Sequence, residues 1–382
     1  MRSPSLVTFA ENVLLAVQRR HVLAVVLAVA LARYVYLRRR RHVDQLCLYR
    51  ALSRYVTTET RDRPDKCASP TLLTSPAEEW HIVTEHGTRM QSLVYYPLES
   101  VKHKTLVLVI PGNPGVSFYY LPLMQELIRK HGRRHEVRCL SHVGHFMPYK
   151  NKGQAFTLQE QLEYKAAYLQ QRLRDEPTLQ LVLIGHSIGS YFLLDMARRF
   201  RQHIAKLVFM QPTIMHMALS RKGKQMMPLF HNYERGVALV AAVEFLMPLS
   251  LRRWIVRRVL GDKTSEPLQL ASLSLVNASV MRNVLKMAAN EMEEVTELDG
   301  DLLAKIEEKV LFVYSTVDEW VPAEFVQEYQ LRFPNAQHRV VPQAHAFMMD
   351  VNGTRDMAAH ISHWISEVLD GKQSGEMDAV VA

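Results

Sequence analysis

The sequence predicts an α/β fold in which a mostly parallel sheet is covered by helices on both faces. From residue 80 onward, short β-rich runs alternate with segments of helical periodicity, which is typical of such a sheet. The runs at 105–110 (TLVLVI) and 179–184 (LQLVLI) are apolar almost throughout, as expected of strands buried on both faces. Residues 212–304 interrupt the alternation, and an interruption of this length predicts a helical lid or insertion rather than a loop.

The predicted elements follow one another in a regular order along the chain. A hairpin-like pair of strands is expected at 80–85 and 90–96. Further strands are predicted at 105–110, 136–140, 179–184, 205–210, 309–314 and 338–341. Helices are predicted at 119–131, 157–174, 187–200, 322–333 and 354–369. Thr157 and Glu160 have the spacing of a capping box, which places the start of the second of these helices.

The composition limits the class of protein. The chain has 382 residues, 48% of them hydrophobic and 22% charged, which excludes collagen-like and largely disordered proteins. A multi-span membrane protein is excluded because no second segment approaches ~18 uninterrupted apolar residues. Cys47, Cys67 and Cys139 have unrelated spacings, and the sequence contains no P-loop, GxGxxG or HExxH motif. We therefore expect neither a cofactor nor a metal.

The positive charge is concentrated at the N-terminus. The net charge is +9, and residues 1–41 hold eight arginines against one glutamate, or +7, which leaves +2 for the rest of the chain. A nucleic-acid binder would spread lysine and arginine over a folded face. We therefore expect no nucleic-acid partner for this near-neutral body.

Residues 1–57 are predicted to form an N-terminal membrane-anchor segment with a hydrophobic helix. The apolar run at 22–32 has two arginines before it (19–20) and four after it (38–41), which would keep the following body on the cytosolic side. Two alternatives stay open. A cleaved signal peptide would use the small-residue site at 30–32, and a mitochondrial presequence would account for the many arginines and scarce acids.

The rest of the chain divides by composition. We expect a linker at 58–79, an α/β core at 80–211 and 305–372, the helical insertion at 212–304, and a flexible tail at 373–382. Residues 226–258 of the insertion are apolar and basic, and four arginines (252, 253, 257 and 258) accompany Trp254 and Ile255. This pattern suits an interfacial amphipathic helix, and a lid helix that packs its apolar side onto the body is an equally good interpretation.

The strongest chemical signal is the G-x-S-x-G motif formed by Gly185, Ser187 and Gly189. In a nucleophile elbow, a serine on a tight strand-to-helix turn is exposed at the carboxyl end of the sheet. Side chains at the two glycine positions would collide with neighbouring elements, and the turn strains the serine backbone. The Ile188 N–H, close to a helix N-terminus, is expected to face the developing oxyanion.

The serine needs a general base, and the base needs an acid that orients it. Where a nucleophile elbow occurs, the acid follows the next-to-last strand and the base follows the last. Asp318 and His345 fall at these two places, so we predict a Ser187–His345–Asp318 triad. Glu319 is the reserve acid.

A second oxyanion donor is expected from the loop after the earlier buried strand, at 111–115. The Asn113 N–H is the candidate, and Gly112 would permit close approach of the backbone. His142 and His145 follow another strand and are expected to rim the site without a catalytic role.

Four segments together resemble the lipid droplet-associated hydrolase family, a branch of the α/β-hydrolase fold. They are 110–115 (IPGNPG), 141–145 (SHVGH), 181–192 (LVLIGHSIGSYF) and 345–347 (HAF). The resemblance implies a serine lipid hydrolase of droplets and endoplasmic reticulum, with the family's triad on Ser187, Asp318 and His345. It also implies that the family's droplet-targeting apolar segment corresponds to 226–258. The arginine-flanked run near the N-terminus is not expected of a typical member.

The motifs predict a serine hydrolase that acts through an acyl-enzyme, and the resemblance implies that it cleaves carboxylic esters of neutral lipids, either sterol esters or acylglycerols. Its expected partners are the neutral lipid substrate and a lipid droplet or membrane surface. The expected location is the lipid droplet and endoplasmic reticulum membrane, with the catalytic domain facing the cytosol and the mitochondrion as the alternative. Two other functions stay open: a lipid acyltransferase with the same triad, and a weakly active or inactive droplet-surface protein acting in lipid storage.

Overall fold

The computed structural model describes residues 6–57, 75–84, 87–98, 104–146, 153–261 and 264–370, with the backbone alone for 6–26. Strands in these ranges are β1 (Ala77–Ile82), β2 (Arg89–Tyr95), β3 (Thr105–Ile110), β4 (Glu136–Leu140), β5 (Gln180–His186), β6 (Ile204–Met210), β7 (Val310–Ser315) and β8 (Gln337–Val341). Helices are α1 (Leu6–Leu52), α2 (Leu121–His131), α3 (Leu158–Asp175), α4 (Gly189–Phe200), α5 (Arg221–His231), α6 (Tyr233–Leu246), α7 (Leu249–Leu260), α8 (Glu266–Ser274), α9 (Ala278–Glu294), α10 (Gly300–Ala304), α11 (Ala323–Arg332) and α12 (Val351–Asp370).

The strands form one sheet in the order β1-β2-β4-β3-β5-β6-β7-β8. The pairs β1–β2 and β2–β4 are antiparallel, and every other neighbouring pair is parallel. The prediction of a mostly parallel sheet is confirmed. Because parallel strands end at the same edge, the loops after β3, β5, β7 and β8 come together there.

Side chains of the central strands alternate between two hydrophobic clusters, one on each face of the sheet. In β3, Leu106 and Leu108 belong to one cluster, and Val107 and Val109 belong to the other. Helices α3 and α4 cover the first face, whereas α2 and α12 cover the second. This two-sided burial explains why β3 and β5 are almost continuously apolar in sequence.

The first strand, at the edge of the sheet, begins earlier in the chain than the sequence predicts. Strand β1 spans 77–82 rather than 80–85, because its backbone pairs with β2 from Ala77 opposite Val94 to Ile82 opposite Arg89. Its first residues therefore fall inside the predicted linker at 58–79. Residues 58–74 and the predicted tail at 373–382 lie outside the described ranges.

The end of the N-terminal segment packs into the body of the protein. Leu48, Leu52 and Val56 are buried in the cluster under α2 and α12, and Thr57 forms a bridge to Ala77. Residues 27–36 of α1, in contrast, are exposed on all sides. Within the described ranges, none of the helices combines the length and the apolar character that crossing a bilayer requires.

Helix α1 is bound to the insertion by buried polar contacts. The Glu244 carboxylate of α6 is 1% exposed and accepts hydrogen bonds from Arg41 at 2.7 Å and Gln45 at 3.1 Å, both on α1. The buried Arg252 of α7 pairs with Asp44 of α1 at 2.5 Å. These contacts hold α1 and the insertion together, although they are about 200 residues apart in sequence.

Helix α7 exposes much of its apolar surface. Arg252 lies on the inner side with the partly buried Leu249 and Val256, whereas Trp254 is 59% exposed and Val259 is 77% exposed. Leu251 and Ile255 are also exposed. The apolar side chains of α7 are therefore divided between an inner side that packs onto the body and an outer side that is exposed.

Candidate active site

Ser187 occupies a sharp turn between β5 and α4. Strand β5 ends at His186 and α4 begins at Gly189. The φ angle of Ser187 is 54°, a left-handed conformation that is uncommon for residues other than glycine. Its N–H donates to the Met210 carbonyl at 3.0 Å. Such strained backbone concentrates at functional sites, and here it is the geometry of a nucleophile elbow.

The glycines of the motif leave no room for side chains. A Cβ at Gly189 would lie 2.2 Å from the Ile110 carbonyl oxygen. One at Gly185 would lie 2.6 Å from the Gly189 carbonyl oxygen. The same holds for the loop after β3, where a Cβ at Gly112 would lie 2.9 Å from the Cβ of Ser187. Glycine at these positions brings the 111–115 loop against the serine.

His345 bridges Ser187 and Asp318. Its Nε2 lies 2.9 Å from the Ser187 Oγ, and its Nδ1 lies 2.7 Å from the Asp318 Oδ2. The other carboxylate oxygen of Asp318 accepts the N–H groups of Trp320 at 2.8 Å and Val321 at 3.3 Å. The structure therefore brings together the three residues that the sequence predicts as nucleophile, base and acid.

The electrostatics at Asp318 favour its ionised form. Burial alone would raise the pKa of this carboxyl, but the hydrogen bond and charge of His345 and two backbone N–H groups outweigh it, so the pKa lies below its ordinary value. Glu319, the reserve acid, instead faces solvent and pairs with Arg221 at 3.3 Å and Lys222 at 3.7 Å. Asp318 is thus the carboxylate that contacts the imidazole.

The backbone N–H groups next to the serine differ in availability. The Gly112 N–H donates to the Tyr120 hydroxyl at 2.8 Å and is therefore already engaged. Among the described residues, no acceptor is found for the N–H of Asn113 or of Ile188. These are the two donors that the sequence predicts for the oxyanion, and both remain candidates for it.

The side chain of Asn113 is held by the insertion. Its Nδ2 donates to the Val284 carbonyl and to the Glu291 Oε1, each at 2.9 Å and each on α9. Burial raises the pKa of Glu291 to about 8, so this carboxyl is largely protonated at neutral pH. Helix α9 therefore holds the loop at 111–115 through the Asn113 side chain, and it does so without placing a full negative charge beside the loop.

His142 and His145, which follow β4, also contact the loop at 111–115. The His145 ring bonds the Pro114 carbonyl at 2.9 Å, and the His142 ring fills the space in front of Gly115. Burial lowers the pKa of both histidines, that of His145 to about 3, which keeps them neutral. Both rings are buried against this loop, whereas the sequence predicts that they rim the site.

Sequence reasoning missed three buried polar residues at this site. The Tyr120 hydroxyl lies 2.6 Å from the His186 Nδ1, and the His186 Nε2 lies 2.9 Å from the His345 carbonyl oxygen. Gln211, directly after β6, donates its amide to the loop that carries His345. His186 stands within the G-x-S-x-G motif as its variable second residue, and the sequence around Tyr120 and Gln211 contains no signal of their contacts.

The fold and the site define the class of protein. A mostly parallel sheet with a strained serine after β5, an aspartate after β7 and a histidine after β8 has the arrangement of an α/β-hydrolase. Among the described residues, no group of histidine, cysteine, aspartate and glutamate side chains is placed to hold a metal ion.

Comparison with known proteins identifies the family. Residues 103–348 match the family described as Lipid-droplet associated hydrolase. The lipid droplet-associated hydrolase of Gallus gallus is 30% identical over 282 residues, covering 70% of this chain and 86% of its own. The human protein of the same name is 30% identical over 291 residues, covering 71% and 88%. The chain belongs to the lipid droplet-associated hydrolase family, and it is a hydrolase.

A solved structure supports the fold. A thermophilic esterase from Thermogutta terrifontis superimposes with a TM-score of 0.51 over 76% of this chain and 98% of its own, at 16% sequence identity. At this identity the likeness concerns the fold alone.

Proposed function

We propose that this protein hydrolyses carboxylic esters of neutral lipids, either sterol esters or acylglycerols, at the surface of a lipid droplet or of the endoplasmic reticulum membrane. The observation that carries the proposal is the continuous hydrogen-bonded arrangement of Ser187, His345 and Asp318, at 2.9 and 2.7 Å. An activated serine of this kind attacks acyl carbonyl groups. The names of the relatives support a lipid as the substrate.

Each residue has a defined role in the proposed mechanism. His345 takes the proton of Ser187 as the Oγ attacks the ester carbonyl, and Asp318 stabilises the imidazolium that forms. The N–H groups of Asn113 and Ile188 stabilise the oxyanion. His345 then returns the proton to the leaving alcohol, which leaves an acyl-enzyme. A water molecule, deprotonated by the same histidine, releases the fatty acid.

The outer side of α7 supports action at a lipid surface. Trp254 and Val259 are exposed beside Leu251 and Ile255, and the helix carries arginines at 253, 257 and 258. Aromatic and aliphatic side chains flanked by arginine suit the boundary between lipid headgroups and acyl chains. In this arrangement α7 contacts the lipid surface, and the body of the protein faces the cytosol.

Labelling with a fluorophosphonate probe tests the triad in the full-length protein. We expect labelling of the wild type and of Ser366→Ala, whose serine on α12 bonds only the His363 carbonyl of its own helix. We expect none for Ser187→Ala, and a loss of at least ~10³-fold in rate for His345→Ala. Labelling of a folded Ser187→Ala protein contradicts the proposal. Product analysis of cholesteryl oleate and triolein emulsions, with and without added alcohol, distinguishes hydrolysis from acyl transfer.

A second comparison tests the lipid surface. The double variant Trp254→Glu, Val259→Glu should lose binding to triolein droplets and activity on emulsions, and keep its rate on a soluble short-chain ester. Leu331→Glu is the matched control, because Leu331 is 82% exposed on α11. Equal droplet binding by the two proteins argues against contact through α7.

A further inference from the structure

The loop that carries His345 is held by side chains from other parts of the fold. This base loop, residues 342–346, connects β8 to a short 3₁₀ turn at Phe347–Met349. Gln211 donates its amide to the carbonyl groups of Gln343 at 3.2 Å and Ala344 at 3.0 Å. The His186 Nε2 contacts the next carbonyl, that of His345 itself, at 2.9 Å. Three consecutive carbonyl groups of the base loop are thus fixed from outside it.

The partners of His186 define which of its nitrogens carries the proton. A carbonyl oxygen can only accept, so the Nε2 must be the donor towards His345. The Nδ1 is then an acceptor, and the Tyr120 hydroxyl donates a hydrogen bond to it at 2.6 Å. The Tyr120 oxygen in turn accepts the Gly112 N–H at 2.8 Å. The three hydrogen bonds therefore form one series that runs from the Gly112 N–H through Tyr120 and His186 to the His345 carbonyl, and every donor in it has an acceptor.

The series joins the three loops that the proposed reaction requires. Gly112 belongs to the loop that carries the oxyanion donor, His186 directly precedes the nucleophile, and the last carbonyl belongs to the base loop. His186 and Tyr120 are 4% and 2% exposed, and hydrogen bonds between such buried groups are stronger than those in water. Burial lowers the pKa of His186 to about 3 and raises that of Tyr120 well above its ordinary value, so neither group changes its charge near neutral pH.

We propose that Tyr120 and His186 are positioning residues that lock the base loop to the oxyanion loop, so that the imidazole of His345 stays between Ser187 and Asp318. The inference rests on the proposed serine-hydrolase function and adds to it. Neither residue is hydrogen-bonded to the Ser187 Oγ or to the imidazole nitrogens of His345. Both hold the backbone of the loops, and the His186 ring also packs against the His345 ring, with 5.0 Å between their centroids. Their loss should therefore slow the chemical step and leave substrate binding nearly unchanged.

His186→Phe tests the lock, because it keeps a planar ring and removes both nitrogens. His135→Phe is the matched control: His135 is also buried, and its Nε2 contacts the Leu369 carbonyl at 2.8 Å, at the end of α12. On a soluble short-chain ester we expect the kcat of His186→Phe to fall at least ~10-fold and its KM to stay within about twofold of the wild-type value. Its melting temperature should fall no more than that of His135→Phe. His186→Gln, which retains a donor and an acceptor, should recover part of the rate.

A double-mutant cycle tests whether the two residues act as one unit. Tyr120→Phe should lower kcat several-fold, whereas Tyr119→Phe, which removes a neighbouring hydroxyl bonded to Ser272, should not. The double variant at 120 and 186 should be no slower than His186→Phe alone, because either substitution already breaks the connection between the oxyanion loop and the base loop.

Three outcomes overturn the inference. It is wrong if His186→Phe retains the kcat of His135→Phe, or if the effects at 120 and 186 multiply in the double variant. Absence of any Ser187-dependent turnover in the wild type overturns the proposed function, and the inference with it. Wild-type turnover accompanied by an unaffected His186→Phe rejects the positioning role alone.

Discussion

Replacing Gly189 by alanine tests how closely the elbow must approach the end of β3. The added Cβ would lie 2.2 Å from the Ile110 carbonyl oxygen and 2.8 Å from that of Pro111. An ordinary contact between carbon and oxygen is at least ~3.3 Å, so the start of α4 and the end of β3 must separate by roughly 1 Å. Both contacting atoms belong to backbone, which cannot rotate away as a side chain does.

This displacement acts directly on the site. The segment at 110–111 leads into the loop of Asn113, so a separation of roughly 1 Å moves the oxyanion donor away from Ser187. A misplacement of that size costs about 10²-fold in rate, equivalent to ~2.7 kcal/mol in the barrier. Overpacking of this kind also lowers the free energy of unfolding by ~1–3 kcal/mol.

The assay is the second-order rate of fluorophosphonate labelling, measured beside a thermal melt. Gly236→Ala is the matched control, because its Cβ would meet only the flexible ends of Leu285 at 3.0 Å and Leu229 at 3.3 Å, within helix α6. We expect Gly236→Ala to label like the wild type and to gain ~0.5–1 kcal/mol from helix propensity. A folded Gly189→Ala protein that labels within twofold of the wild type would refute the reasoning.

Three further predictions concern stability. Glu291→Gln should stabilise the protein increasingly between pH 4.5 and 8, because the unfolded chain ionises this carboxyl over that range while burial raises its pKa in the folded protein to about 8. Urea unfolding should show a gain of up to ~3 kcal/mol in the free energy of unfolding at pH 7 and no difference near pH 4. Arg252→Ala leaves the partly buried Asp44 carboxylate of α1 unpaired and should cost ~2–3 kcal/mol, against less than ~1 kcal/mol for Arg332→Ala in an exposed helical pair; equal urea midpoints contradict this. Removal of residues 1–57 deletes four buried aliphatic side chains and the α1 partners of the buried Glu244 and Arg252, and should cost at least ~6 kcal/mol by calorimetry.

The chemistry of the site was predictable where it depends on position along the chain. The spacing of Gly185, Ser187 and Gly189 after an apolar run specifies a turn that the backbone can form only with glycine at both ends. The positions of Asp318 and His345 were predictable from the order of the strands, because parallel strands end at the same edge of the sheet. The sequence predicts Asp318 with Glu319 in reserve, and the structure shows that only the Asp318 carboxylate contacts the imidazole.

The supporting contacts were not predictable. His186 and the His345 carbonyl are 159 residues apart, and the bond between Tyr120 and His186 spans 66 residues. Sequence periodicity describes which face of an element is apolar, but it does not identify the group that comes to lie opposite a buried polar atom. For the same reason, no pattern indicated that Gln211 fixes the base loop.

The sequence by itself determined the alternation of strands and helices, the elbow and the order of the triad, because each depends on residues close together or on the sequence of strands. Only the tertiary structure decided that α7 exposes much of its apolar surface and that α1 is joined to the insertion. A sequence pattern would place Arg252 on the exposed side of α7. It lies on the inner side because Asp44 of α1 pairs with it there. Its burial depends on a partner 208 residues away, and that pairing exists only in the folded chain.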